Sequence, residues 1–115
     1  MDAQKFVDVI KRVVSDAAIM DTVSVLTSPP GRKPSKPLLE MSEFYNKQNL
    51  GDKACIDMII KKSVEEAVFG FFCVLDGVRA IEDSGDRGVL SLCYEGGTTI
   101  KLNSNGDLHD IYNSK

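Results

Sequence analysis

The stretch that most constrains the fold is 52–76, DKACIDMIIKKSVEEAVFGFFCVLD. Ile56, Ile59, Ile60, Val64, Ala67, Val68, Phe71, Phe72 and Leu75 recur at three- and four-residue intervals, the period of a helix with one buried face. Lys53, Asp57, Lys61, Lys62, Glu65 and Glu66 hold the other face in the first half. From Ala67 onward the helix is apolar all round, which predicts that this half runs through the middle of the fold. Asp52 suits its N-cap, and Asp76-Gly77 suits its stop. Gly70 in the interior costs ~1 kcal/mol relative to Ala, which close approach by another element would explain, and so would neutral drift. A chain of 115 residues built around such a helix reads as one domain, 1–115.

The remaining elements arrange themselves around it. Phe6, Val9, Ile10, Val13 and Ala17 predict an amphipathic helix over 2–20, capped by Asp2. Residues 21–28 fit either a short strand or a continuation of that helix. The segment 28–37, SPPGRKPSKP, holds all four prolines and is a basic loop carrying Arg32, Lys33 and Lys36. Residues 38–49 read as a short helix, with Leu38, Met41, Phe44 and Tyr45 on one side and Asn49 and Gly51 at its end. Beyond Gly77 the period changes to two. Strands are expected near 78–83, 89–94 and 98–103, with a hairpin turn at Glu95-Gly96-Gly97 and a second turn at Ser104-Asn105-Gly106-Asp107. Residues 108–112 fit a last short strand or a helical turn. The expected fold class is α+β: N-terminal helices, then one long central apolar helix packed on a C-terminal antiparallel meander of three or four strands.

Charge and cysteine usage narrow the function classes. The net charge is −3, with residues 1–57 balanced and the excess acid in 58–115. Nucleic-acid binding draws on clustered Lys and Arg, so it is not expected. Three cysteines, Cys55, Cys73 and Cys93, are odd in number and too far apart for a CxxC pair. They read as small apolar packers in a reducing compartment rather than a disulfide framework or a zinc site. Charged residues Asp2 and Asp8 stand where a signal peptide would need bases and apolar residues, and the longest apolar run, Ala67–Leu75, is too short to span a bilayer. A cytoplasmic protein with no membrane contact is expected.

Little in the sequence carries catalytic chemistry. His109 is the single histidine, and in a strand its neighbour Asp110 would point the other way. It could activate Cys93 only if the last segment lay beside that strand, and the apolar neighbours of Cys55 and Cys73 argue for buried, inert thiols. Gly96 and Gly97 join two strands, so they are not a dinucleotide fingerprint. The 28–37 loop lacks the phosphate-cradling GxxxxGK[ST] pattern. The carboxylates Asp76, Glu82, Asp83 and Asp86 crowd into eleven positions, yet lack the register of a calcium loop. No cofactor and no metal is expected.

The block Phe69–Glu82, FGFFCVLDGVRAIE, resembles a pattern in small uncharacterised bacterial proteins, where an apolar helix ends in Leu-Asp-Gly and feeds a strand. Small acidic α+β proteins of this size resemble immunity proteins, which shield a cell from its own toxin. That resemblance implies a bacterial cytosolic protein of unassigned function. The leading expectation is therefore a non-enzymatic binding module whose acidic C-terminal face (Asp76, Glu82, Asp83, Asp86 and Arg87) holds a basic protein partner, as an immunity or antitoxin protein would. The alternative is a small-molecule sensor or carrier with a pocket between the long helix and the sheet, near Phe72, Tyr94 and Ile100. A hydrolase using the Asp76–Asp86 carboxylates with a divalent metal is a third reading. An open sheet edge leaves monomer and homodimer both available.

Overall fold

A computed structural model describes residues 1–83, 85 and 88–114. A first helical run comprises α1 (Ala3–Ile10), a π-helical segment (Lys11–Asp16) and α2 (Ala17–Thr27). It is followed by α3 (Lys36–Lys47), α4 (Leu50–Leu75), β1 (Cys93–Gly96), β2 (Thr98–Lys101) and α5 (Leu108–Asn113). These elements build two compact units, Met1–Val14 with Glu66–Lys115, and Ser15–Glu65.

Local chemistry sets most of the helix ends. Asp2 Oδ1 accepts the Lys5 amide at 2.8 Å, as its N-cap position predicts. Residues 21–27 continue the helix, which resolves the open reading of that segment. Ser35 Oγ accepts the Leu38 amide, so α3 starts two residues earlier than expected. Pro37 falls in its first turn, where a missing N–H costs nothing. The loop is correspondingly shorter than 28–37. Asn49 does not end α3; its Oδ1 accepts the Asp52 amide at 2.8 Å and starts α4. Asp52 is thus a first-turn acid rather than the cap. At the other end Gly77, with φ +76°, closes α4 through Gly77 N–H to Val74 O and Val78 N–H to Cys73 O, a Schellman pair.

In the unit formed by Met1–Val14 and Glu66–Lys115, the core is Val7, Phe72, Leu108 and Tyr112. Phe6 meets Phe72 edge-on at 6.2 Å, and Tyr112 meets Phe72 at 5.4 Å. Each such fully buried side chain is worth about 1.5–3 kcal/mol. Val7 lies off the predicted stripe, and Val13, which belongs to it, is exposed. The π-helical segment explains the second departure: its wider turn takes the residues after Lys11 out of the 3.6-residue phase. The Arg79 guanidinium lies over Gly70, where an added Cβ would stand 2.4 Å from Nη1. That group is the far end of a flexible, exposed side chain, which can swing aside for a Cβ, so this approach does not by itself require glycine.

The sheet is smaller than expected. The described residues contain two strands, not three or four, paired antiparallel with Cys93 opposite Lys101 and Tyr94 opposite Ile100. Gly97, at φ +79°, makes the predicted hairpin turn. The described part of 78–92 contains no strand, and residues 108–113 are helical. All eight strand residues are exposed, so neither face of the ribbon is a packing layer. The apolar contribution comes from its flanks: Leu102 is buried, Leu92 packs on the core, and the Leu102 amide extends the ladder to Leu92 O at 2.8 Å. A two-stranded ribbon of four-residue strands has too little area to cover a helix.

In the Ser15–Glu65 unit, α2 and α3 form a helical hairpin across the proline loop. Asn46 on α3 donates to the last carbonyls of α2, Leu26 O at 3.3 Å and Thr27 O at 3.2 Å, and to Ser42 Oγ at 3.2 Å. It thereby satisfies C-terminal carbonyls that the helix cannot pair itself. Tyr45 donates its hydroxyl to Asp57 on α4 at 2.9 Å, and Lys53 lies over the ring.

Candidate functional site

The C-terminal acids divide into two kinds. Asp76 follows the last residue of α4, and its side chain is fully buried. Oδ2 accepts the His109 backbone amide at 2.9 Å and the His109 Nδ1–H at 2.5 Å. The first bond is a helix cap supplied in trans. Asp107, the N-cap of α5, makes no side-chain cap bond, and His109 sits at the second helical position, whose amide a cap ordinarily serves. A carboxylate at the C-terminus of α4 is badly placed for that helix's dipole, but it is well placed at the N-terminus of α5. Oδ1 of Asp76 is buried with no protein partner. The other ring nitrogen of His109, Nε2, stands 3.5 Å from Asp110 Oδ1, so both nitrogens face carboxylates and neither reaches a thiol.

Asp76 is therefore not part of an acidic surface; it is spent on holding α5. Glu82 and Asp83 are exposed, with Glu82 Oε1 accepting the Gly88 amide at 3.0 Å. Asp86 and Arg87 lie outside the described residues. Among described residues, no group of three or more His, Cys, Asp or Glu could hold a metal ion. The cysteines also divide: Cys73 is buried as expected, whereas Cys55 and Cys93 are exposed thiols.

Of the three pocket residues, Phe72 alone, a core residue, borders the nearly all-apolar cavity of about 380 Å³ that Phe6, Ile10, Val68, Phe71 and Leu92 line. Tyr94 and Ile100 are cross-strand neighbours, 43% and 37% exposed, and lie outside that cavity. Tyr94 instead folds over Gly96, where an added Cβ would stand 2.7 Å from its ring. A second hollow of about 480 Å³, of mixed polar and apolar lining, lies between the end of α4, residues 77–82 and 88–90, and the 101–106 turn. Its charged lining mixes Asp76 and Glu82 with Arg79 and Lys101. Asn103 anchors its wall: buried, it donates to Leu75 O at 2.7 Å and Leu90 O at 2.9 Å and accepts the Leu92 amide at 2.9 Å.

Two features escaped the sequence reading. One is the Asp76–His109 pair, 33 residues apart in sequence, which no local pattern signals. The other is an apolar groove of about 800 Å³ within the Ser15–Glu65 unit, between α2, α3 and the first half of α4. Its walls are Val25, Leu26, Met41, Phe44, Ile56 and Ile60, and the charged residues lining it are Asp21 and Glu40. The stripe of Leu38, Met41, Phe44 and Tyr45 was its one visible signal; Tyr45 is buried, but Met41 and Phe44 stay 52% and 62% exposed.

These features define a helix-rich α+β protein with a long helix, a small antiparallel ribbon and large apolar side chains left at the surface. No helix among the described residues is long and apolar enough to cross a membrane. Neither protein-family models, nor curated proteins, nor solved structures contain a match to the chain.

Proposed function

We propose that this chain is a non-enzymatic binding module that holds a basic protein partner. The observation that supports the reading is a surface on which apolar and acidic side chains stand together after α4. Ile81 and Val89 are 63% and 85% exposed; Glu82 and Asp83 follow Ile81 in sequence, and Glu82 accepts the amide of Gly88, next to Val89. Apolar surface rimmed by charge marks interaction sites, and carboxylates on the rim favour a cationic partner and speed its approach. Shielding a cell from a basic toxin is the concrete form this function would take. The test is affinity capture on the full chain from native lysate at low and moderate salt, compared with the Glu82→Lys/Asp83→Lys variant. A basic protein recovered near one-to-one, and lost from the variant, supports the reading. Recovery that is indifferent to both salt and charge reversal refutes it.

One observation favours a second reading, a carrier of a small apolar molecule: the cavity bordered by Phe6, Val68, Phe72 and Leu92 exposes almost no polar atom. An apolar dye that binds the chain, and is lost on Leu92→Trp, would support it.

A further inference from the structure

We propose that the groove of the Ser15–Glu65 unit is a second binding site, built to seat an amphipathic helix with a basic polar face. The proposal is independent of the surface after α4. The groove runs between two helices and a third, and Val25, Met41, Phe44, Ile56 and Ile60 supply an apolar floor and walls. α3 has 12 residues, a wall of about 18 Å, which matches three turns of a bound helix. Such a ligand inserts apolar residues at i, i+3, i+4 and i+7 into an apolar groove.

Two observations fix the chemistry of the occupant. The charged residues lining the groove are both carboxylates, Asp21 on α2 and Glu40 on α3, and both are exposed. A helix seated on the apolar floor would bring its flanking side chains to these groups, and Lys or Arg there would be paired while Glu or Asp would be repelled. The walls are also tied to one another before any ligand arrives. Asn46 ties α3 to the end of α2, and Tyr45 ties α3 to Asp57 on α4, so the helices bordering the groove are cross-linked by hydrogen bonds. A preformed groove spares the ligand the cost of ordering it. Met41 at the mouth adds an unbranched, polarisable side chain that adapts to different apolar knobs.

The experiment uses the full chain and a fluorescent synthetic helix of about 18 residues, long enough to be helical, patterned Leu on one face and Lys on the other. A Leu/Glu helix of the same pattern and a scrambled Leu/Lys peptide are the controls, and fluorescence anisotropy gives the affinities. The Leu/Lys helix is expected to bind at least tenfold more tightly than either control. The Met41→Ser/Phe44→Ser and Asp21→Lys/Glu40→Lys variants should each weaken it tenfold or more. Met41, Phe44, Asp21 and Glu40 are exposed, so unchanged circular dichroism and melting should show these variants folded. Glu82→Lys/Asp83→Lys should leave peptide affinity unchanged. Equal binding of the acidic helix, no binding of the basic one, or indifference to both groove variants overturns the proposal. Loss confined to Glu82→Lys/Asp83→Lys overturns the groove while supporting the surface after α4. A cationic small amphiphile that competes away no peptide supports the helix as occupant.

Discussion

Replacing Asn103 by alanine tests whether one buried amide holds the end of α4 to the segment before β1. The side chain makes three hydrogen bonds, to Leu75 O, Leu90 O and the Leu92 amide, all between 2.7 and 2.9 Å. Each is worth about 1 kcal/mol net, so Asn103→Ala should cost about 3 kcal/mol. Unfolding entropy near 2.1 cal/mol/K per residue gives roughly 240 cal/mol/K for this chain, so the melting temperature should fall by about 12 °C in a single transition. Total stability for a chain of this size is about 6–17 kcal/mol, so the variant should still fold. Asn103→Asp keeps the acceptor for the Leu92 amide but sets a carboxylate against two carbonyls, and should be at least as damaging at neutral pH. Asn105→Ala, at an exposed position in the same turn, should stay within about 0.5 kcal/mol of the parent. The assay is thermal unfolding followed by circular dichroism in one buffer. A fall of less than about 4 °C for Asn103→Ala, or one matching Asn105→Ala, would refute the assignment of Asn103 as the anchor.

Other perturbations probe the remaining assignments. Asp76→Ala should cost about 2–3 kcal/mol, the scale of a hydrogen bond to a charged group, and Asp76→Asn, which keeps an acceptor for the His109 amide, should cost less. Equal denaturation midpoints for the two would count against the trans cap. The hydrogen bond to Asp57 raises the Tyr45 pKa above its ordinary 10.0, because it favours the neutral phenol over the phenolate. Its stabilisation is complete below that ordinary value and is lost as pH climbs through the raised one. An ultraviolet titration, taken as the difference from Tyr45→Phe, should show the high midpoint, and Asp57→Asn should lower it; an unmoved midpoint refutes the cause. A thiol reagent under native conditions should label Cys55 and Cys93 quickly and Cys73 only on unfolding, and fast labelling of Cys73 would contradict its burial.

What was legible beforehand follows the range of the forces involved. The long helix, its Gly77 stop, the Asp2 cap and the turn at Gly97 rest on contacts within a few residues, and each stands where the pattern put it within two or three positions. The expected strands over 78–92 did not form within the described residues, because alternation reports a strand only where a neighbour offers hydrogen bonds and a face to bury. Here Asn103 takes up the Leu90 carbonyl and the Leu92 amide that a ladder would have used.

The candidate sites divide along the same line. Asp76 reads as one acid among four in a charged turn; only the arrival of α5 makes it a buried cap for a helix that begins 32 residues further on, since Asp107 stands where that helix should have capped itself. Likewise the Met41–Phe44 stripe reads only as one side of a short helix. In the fold those two side chains stay exposed on a groove lined by α2, α3 and α4. The order of the chain by itself determined helices, caps and turns, as these depend on backbone geometry and neighbouring side chains. Tertiary structure alone decided which acid is buried and which apolar face stays open, because burial depends on residues that the chain brings together from dozens of positions away.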